Sequence, residues 1–152
     1  MSITGGCQCG AIRYSAESLG RASICHCRMC QKAFGSFFGP LVSAHGLEWT
    51  RGNRKIFHSS NRNWRGFCAD CGTPLTYEFD GGVELSIGSL DQPGLAPPTV
   101  QVNFADRCAF TEGLFELPEV APVQAKADDE WNTSVVSNQH PDHETTHWPP
   151  QK

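Results

Sequence analysis

Apolar and polar residues alternate over short stretches along most of the chain. The clearest alternating triplets are Ile12, Tyr14 and Ala16, and then Leu75, Tyr77 and Phe79. Alternation with a period of two is typical of a β-strand that buries one face. Glycine, proline, asparagine and aspartate separate these stretches, and helical periodicity is not sustained anywhere. The pattern therefore predicts a mainly β protein.

Several more segments are predicted as strands by the same criteria. They are residues 37–42, 48–50, 56–59, 64–68, 83–87 and 99–104. The Asp80-Gly81-Gly82 sequence between two alternating runs indicates a β-hairpin. One short helix is predicted over Cys27–Ala33, where two cysteines three residues apart would share a helical face.

The composition changes beyond Pro118 to alanine, aspartate, asparagine, proline and histidine. We therefore predict a domain over residues 1–118 and a C-terminal extension over residues 119–152. Few apolar residues occur in the extension, which is typical of a segment without a core of its own. We expect it to dock on the domain or on a second subunit through Trp131 and Trp148, so a homodimer formed through this tail is possible.

Length and charge exclude several classes of protein. The chain has 152 residues, 18% of them charged, and a formal net charge of -4. This balance lacks the basic surface of a nucleic-acid binder. We identify neither a signal peptide nor a run of about 18 apolar residues that could span a bilayer. No nucleic acid or membrane partner is expected, and the predicted location is the cytoplasm.

The cysteines point to metal binding. Of the 8 cysteines, all but Cys108 fall in three tight clusters. The clusters are Cys7-Gln8-Cys9, Cys25-His26-Cys27-Arg28-Met29-Cys30 and Cys68-Ala69-Asp70-Cys71. Such close neighbours are poorly placed to bridge each other, because a disulfide needs Cα atoms about 4.4 to 6.8 Å apart with facing Cβ atoms. A zinc ion, by contrast, readily takes two thiolates from one short turn.

Counting ligands suggests two zinc ions per chain. A structural zinc takes four protein ligands, whereas a catalytic zinc typically takes three and leaves one position open. The simplest partition places Cys7, Cys9, Cys68 and Cys71 in a structural site that clamps two sheets. Cys25, Cys27 and Cys30 then hold a second zinc with a vacant position.

Other arrangements of the second site stay open. The three-cysteine set could be a second structural site, completed by His26, by Cys108 or by a histidine of the tail. The tail histidines are His140, His143 and His147. For the protein as a whole, a rubredoxin-type iron protein is a further alternative, since four cysteines could form such a site, although the lone three-cysteine cluster argues against it.

The motifs together resemble a known family. They are Cys7-Gln8-Cys9-Gly10, Cys25-His26-Cys27-Arg28-Met29-Cys30, Cys68-Ala69-Asp70-Cys71-Gly72-Thr73-Pro74 and Gly88-Ser89-Leu90-Asp91. In this order they resemble the glutathione-dependent formaldehyde-activating family, whose domain also occurs in centromere protein V. The similarity spans about residues 3–117. It implies a β-tent fold of short antiparallel sheets stapled by zinc, with the same two cysteine sets as structural and catalytic ligands.

The resemblance also implies an activity. Members are credited with S-hydroxymethylglutathione synthase activity, a carbon-sulfur lyase reaction that adds glutathione to formaldehyde. Zinc would be the cofactor, glutathione the thiol co-substrate, and formaldehyde or a related small aldehyde the acceptor. Arg28, Gln31 and Lys32 flank the second cysteine cluster and are weak candidates for contacts with glutathione. The alternative function is a non-catalytic zinc module that carries glutathione or binds a protein partner.

Overall fold

The computed structural model of the chain describes residues 3–149. The chain forms two compact units. The first contains residues up to Arg107 together with those from Gln139 onward, and the second contains Cys108–Asn138. The boundary between residues 118 and 119 stays a prediction.

A three-stranded antiparallel sheet forms one part of the first unit. Its strands are β1 (Ile3–Gly6), β2 (Arg13–Ala16) and β5 (Glu48–Arg51), in the order β1-β2-β5. Tyr14 of β2 is completely buried, and its ring meets the edge of Trp49 at a centroid distance of 6.0 Å. The predicted alternation over Ile12, Tyr14 and Ala16 is confirmed, because all three face the core.

A seven-stranded sheet forms the rest of the β structure, in the order β10-β3-β4-β9-β8-β7-β6. Its strands, in chain order, are β3 (Ser18–Cys25), β4 (Gly39–His45), β6 (Lys55–His58), β7 (Asn63–Phe67), β8 (Pro74–Phe79), β9 (Gly82–Ser86) and β10 (Val100–Val102). The predicted hairpin is confirmed: Phe79 pairs with Gly82, and Gly81 has φ of 86° in the turn. That conformation favours glycine.

One strand pair differs from the antiparallel arrangement that was expected. β10 pairs with β3 in parallel, with Val102 opposite Cys25. The physical reason is the connection: β9 already runs in the direction of β3, and the chain crosses to the far edge of the sheet before β10 begins. Parallel neighbours need such a crossover. This pairing brings residues just after β10 next to the end of β3.

Two α-helices occur among residues 3–149. α1 (Arg28–Phe34) confirms the predicted short helix at the three-cysteine cluster. Cys27 is its N-cap, and Gly35 ends it in the left-handed conformation with φ of 57°. α2 (Pro122–Ser134) belongs to the second unit and was not predicted. Its sequence lacks an apolar stripe, and none of its residues is buried.

The core of the first unit lies where the two sheets meet. Its fully buried members include Tyr14, Val42, Leu75 and Leu85, and two cysteines, Cys7 and Cys68, belong to the same cluster. A smaller apolar cluster surrounds Cys25 and Cys30. None of the helices within residues 3–149 has the length and apolar character needed to cross a bilayer.

Candidate metal centres and active-site cavity

Four cysteine sulfurs converge between the two sheets. Cys7 and Cys9 follow β1, whereas Cys68 and Cys71 lie between β7 and β8. All four Sγ atoms lie within 4.8 Å of one another. The Cys7 and Cys9 sulfurs are 3.5 Å apart, and the Cys9 and Cys68 sulfurs are 3.8 Å apart. The cluster therefore joins the three-stranded sheet to the seven-stranded sheet.

Two similar backbone turns present these sulfurs. The carbonyl of Cys7 accepts the N–H of Gly10 at 3.0 Å, and the carbonyl of Cys68 accepts that of Gly72 at 2.9 Å. Both glycines have positive φ, 75° and 77°. Glycine adopts this conformation without the Cβ clash that other residues incur. Each glycine of the motif thus closes the turn that carries its cysteine pair.

Two thiols of this cluster, Cys9 and Cys71, have pKa values shifted in opposite directions. Burial raises the pKa of the Cys9 thiol to about 12. Burial also acts to raise that of Cys71, but hydrogen bonds from the hydroxyl and the backbone of Thr73 outweigh it and lower the pKa to about 6. The Thr73 hydroxyl lies 3.1 Å from the Cys71 sulfur. One sulfur of the cluster is therefore already favoured as the thiolate that a metal requires.

The second cluster forms within a short piece of chain. Cys25 ends β3, Cys27 caps α1, and Cys30 lies in the first turn of α1. The three sulfurs lie within 4.8 Å of one another. Within the described part of the first unit, no histidine, aspartate, glutamate or further cysteine joins them at that distance. The structure thus separates the cysteines into the sets of four and three suggested by counting.

Polar groups surround the three-cysteine cluster. The Asn103 amide, directly after β10, donates to the Cys25 sulfur at 3.4 Å. The Arg65 guanidinium, on β7, donates to the Cys30 sulfur at 3.5 Å. Burial raises the pKa of Cys30 to about 12, although Arg65 acts to lower it. For Cys25, burial is outweighed by hydrogen bonds from the Cys27 backbone and Asn103, and the pKa falls below its usual value.

A cavity of about 650 Å³ opens over this cluster. All three cysteines line it. Its charged lining residues are Arg21, Arg62, Arg65, Asp80 and Glu84, and its uncharged ones include Met29, Asn63, Tyr77, Phe79 and Asn103. The space is large enough for a peptide-sized ligand, since ligand sites typically have volumes of about 300 to 1,000 Å³.

The flanking residues proposed from the sequence lie elsewhere. Arg28, Gln31 and Lys32 are not among the residues that line this cavity. Gln31 is buried and donates to the His26 carbonyl at 2.7 Å, and it accepts a hydrogen bond from Arg28 at 3.2 Å. Gln31 thus holds the helix against the preceding turn. A direct role for the three in glutathione binding stays a prediction.

Sequence reasoning missed Arg65 and Asn103. Arg65 lies three residues before Cys68, in a strand predicted from its apolar neighbours. A charged residue inside such a strand could have indicated that Arg65 belongs to a site. The indication for Asn103 was weaker, because this residue becomes adjacent to Cys25 only through the parallel pairing of β10 with β3.

The histidines considered as a fourth ligand have other partners. His26 packs edge-on against the Phe38 and Phe104 rings, and its Nε2 pairs with the Gln101 side chain at 2.8 Å. His140 packs against Trp148, and its backbone N–H donates to the Gln8 carbonyl at 2.8 Å. His143 and His147 are exposed. Cys108 lies half-buried in the second unit, so its proposed role as a fourth ligand stays a prediction.

The four-cysteine cluster fits a zinc ion. Tetrahedral coordination with zinc-sulfur distances of about 2.3 Å places the sulfurs about 3.8 Å apart. The separations of 3.5 and 3.8 Å in the cluster match this geometry. Thiolates are soft ligands that favour zinc over magnesium or calcium. The same donor chemistry applies to the three-cysteine cluster.

Comparison with known proteins agrees with this geometry. Residues 2–106 match the family described as glutathione-dependent formaldehyde-activating enzyme. Among solved structures, a Rhodobacter sphaeroides protein superposes with a TM-score of 0.51, covering 65% of this chain and 99% of its own, at 20% sequence identity. At that identity the likeness shows the fold alone. No curated protein matches the chain.

Proposed function

The chain belongs to the glutathione-dependent formaldehyde-activating enzyme family, and from this premise we propose that it is a zinc-dependent carbon-sulfur lyase. The reaction joins the thiol of glutathione to formaldehyde or a related small aldehyde. The sulfur electron pair forms the carbon-sulfur bond, and the carbonyl π pair moves to oxygen, which takes up a proton. The thiol loses one proton and the carbonyl oxygen gains one, so the reaction needs no oxidant or reductant.

One observation carries the proposal. Three cysteine sulfurs lie within 4.8 Å of one another on the wall of a cavity of about 650 Å³, and no fourth ligand side chain joins them in the described part of the first unit. A zinc ion held there by Cys25, Cys27 and Cys30 would supply Lewis acidity at a vacant position open to the cavity.

The surrounding residues orient the cluster and shape the space beside it. Asn103 and Arg65 hold two of the three sulfurs through hydrogen bonds. The Tyr77 ring lies under the Arg65 guanidinium, with 5.1 Å between the guanidinium carbon and the ring centroid. These contacts fix the sulfurs before a substrate arrives, which lowers the entropy cost of bringing the reacting groups together.

The four-cysteine set takes the structural role in this proposal. Its sulfurs lie between two sheets, and Cys7 and Cys68 are almost completely buried. A zinc ion there would cross-link segments distant in sequence. It would contribute to folding rather than to chemistry.

The direct test is to measure adduct formation. Glutathione and formaldehyde also combine spontaneously, so exchange NMR at equilibrium should compare the interconversion rate with and without zinc-loaded protein. We expect the protein to accelerate exchange in proportion to its concentration. Cys27→Ser should abolish the acceleration, whereas Cys108→Ser should retain it.

Two outcomes would separate the alternatives. Glutathione binding without faster exchange would support the carrier function and reject the lyase. Loss of acceleration in Cys108→Ser, with the protein still folded and loaded with both ions, would place Cys108 in the site and contradict a three-cysteine centre.

A further inference from the structure

Arg65 is a buried cation whose surroundings differ from those of Arg13, the other buried arginine among residues 3–149. The residue is only 7% exposed, on a strand of the seven-stranded sheet. Its Nη2 donates to the Cys30 sulfur at 3.5 Å, and its guanidinium stacks on the Tyr77 ring. Its Nε is buried and has no hydrogen-bond partner within the described residues.

Arg13, the other buried arginine, and the half-buried Arg54 are each neutralised by a carboxylate. Arg13 pairs with Asp91, and Arg54 pairs with Glu78 at 2.6 Å. Among residues 3–149, Arg65 forms no ion pair with a carboxylate. A buried charge without a counter-charge is costly. The acceptor that Arg65 contacts is the Cys30 sulfur, which would be a thiolate once the cluster holds zinc and would then balance the guanidinium charge.

The carboxylates that line the same cavity do not take this role. Glu84 is 8% exposed, and its Oε1 lies 4.0 Å from the Arg21 Nη2. Burial raises the pKa of the Glu84 carboxyl group. Asp80 is exposed at the tip of the hairpin. The positive charge of Arg65 therefore stays directed at the sulfurs.

The charge balance follows from the ligand set. Three thiolates and a zinc dication carry one net negative charge, which would repel a second anion. The adjacent guanidinium brings the local sum to zero. A further thiolate can then enter at a net charge of minus one instead of minus two. This charge compensation is strong because the Arg65 guanidinium is buried beside the cluster, where water screens the interaction little.

The four-cysteine cluster shows the contrast. Two donors contact its sulfurs: the Ile12 backbone N–H lies 3.2 Å from the Cys7 sulfur, and the Thr73 hydroxyl lies 3.1 Å from the Cys71 sulfur. These donors are neutral. Within the described residues, no guanidinium donates to a sulfur of that set. The cationic contact thus distinguishes the three-cysteine cluster from the four-cysteine cluster.

We propose that Arg65 is a specificity-determining residue that makes this cavity selective for anionic sulfur, so that the substrate thiol binds as a thiolate and not as a neutral sulfur. The inference rests on the proposed function, because it assumes that a thiol enters the cavity. On binding, the thiol releases its proton to solvent and no other bond changes.

Calorimetry on the zinc-loaded protein tests this with two ligands that differ at sulfur. Glutathione can bind as a thiolate, whereas S-methylglutathione presents a neutral thioether. In Arg65→Met the entering thiolate meets a centre that carries one net negative charge, and this repulsion should weaken glutathione binding about tenfold or more. The affinity for S-methylglutathione should not change. Arg65→Lys, which keeps the charge but not the planar fork, should keep glutathione affinity within about threefold of wild type.

Arg62→Met is the matched control, because Arg62 lines the same cavity but is exposed. It should change the affinities for both ligands by the same factor. Zinc content and thermal unfolding of each variant check the fold. If Arg65→Met does not fold, Arg65→Gln removes the charge with a polar side chain and carries the same expectation.

The inference is overturned if Arg65→Met weakens both ligands equally, or if Arg65→Lys behaves like Arg65→Met. A second ligand pair, 2-mercaptoethanol and its S-methyl ether, separates this result from failure of the proposed function. If the small thiol depends on Arg65 while glutathione does not bind at all, the glutathione function is wrong and the inference stands. If neither thiol binds, both are wrong.

Discussion

The buried Arg13–Asp91 pair illustrates how single residues hold the first unit together. Arg13 is 2% exposed, and its Nη1 donates to the Asp91 carboxylate at 2.7 Å. Asp91 also accepts the Thr4 hydroxyl at 2.6 Å. The neighbouring Ser89 hydroxyl lies 2.8 Å from that of the buried Tyr14. The Gly88-Ser89-Leu90-Asp91 motif therefore fastens the end of β9 to the three-stranded sheet.

Replacing Asp91 should be strongly destabilising. Asp91→Asn removes the buried one of the two carboxylates paired with Arg13, while Glu144 keeps its contact at 2.7 Å. We therefore expect the free energy of unfolding to fall by about 1.5 to 3 kcal/mol, the range for a hydrogen bond to a charged group. Urea unfolding followed by tryptophan fluorescence at about pH 7 measures this loss. Asp129→Asn, at an exposed position of α2, is the control and should change stability little.

The pH dependence of that loss has a definite sign. Burial acts to raise the pKa of Asp91, but hydrogen bonds from Arg13 and Thr4 outweigh it and hold the pKa below its usual value. A depressed pKa contributes stability above the unfolded-state value of about 3.9, and this is lost as pH falls through the folded-state value. The difference between wild type and Asp91→Asn should shrink below about pH 4. A difference that grows at low pH would contradict the assignment.

Whether the sequence could predict a contact between two residues depended on how far apart they are along the chain. The cysteine sets could be predicted because each metal-binding turn is local and the spacing between its cysteines is restricted. Arg13 and Asp91, by contrast, are far apart in sequence, and nothing in either segment indicates the other. Arg65 carried a signal in its strand, but its partner Cys30 comes from a different element.

At the scale of elements, the C-terminal segment packs against the turn that carries Cys7 and Cys9. The Trp148 indole N–H donates to the Cys9 carbonyl at 2.7 Å, and the His140 N–H donates to Gln8. A Cβ on Gly10 would clash with both the His140 and Trp148 rings. The family match ends at residue 106, so this covering segment lies outside it.

Removing the Trp148 side chain should expose the four-cysteine turn. In Trp148→Ala the indole no longer covers the Cys9 carbonyl, so we expect Cys9 to react severalfold faster with iodoacetamide. Peptide mass spectrometry measures this rate at each cysteine. Trp131→Ala is the matched control, because Trp131 is 68% exposed in the second unit, and it should leave the Cys9 rate unchanged. Equal rates in wild type and Trp148→Ala would mean that the segment does not protect the site.

Strands were predicted better than connections because the alternation of apolar and polar residues depends on local burial. The predicted segments 56–59 and 64–68 overlap β6 and β7 closely. The parallel position of β10 was not predictable, since it depends on where the crossover ends. α2 was missed because its exposed Val123 and Trp131 do not form a helical stripe. A homodimer formed through the tail stays a prediction.

At the scale of the whole molecule, the two cysteine clusters differ in what they connect. The four-cysteine set joins segments near Cys7 and Cys68 that lie in different sheets, and both residues belong to the main core. The three-cysteine set comes from one stretch, Cys25 to Cys30, beside a cavity. Loss of a metal from the first set would open a long loop of chain, whereas loss from the second would leave the sheets in place.

This difference predicts two zinc ions of unequal lability. A mild chelator should remove the ion of the three-cysteine set first, because its fourth position is open to exchange, and the far-ultraviolet circular dichroism should not change. Removal of the second ion should coincide with unfolding, since structural zinc binding contributes on the order of 10 kcal/mol to folding in small zinc modules. Elemental analysis together with a chromogenic chelator counts both steps.

Cys27→Ser should retain one tightly held ion and the folded spectrum, whereas Cys71→Ser should lose soluble protein. Simultaneous release of both ions, or a single ion per chain in the wild-type protein, would contradict the division into a structural and a catalytic centre.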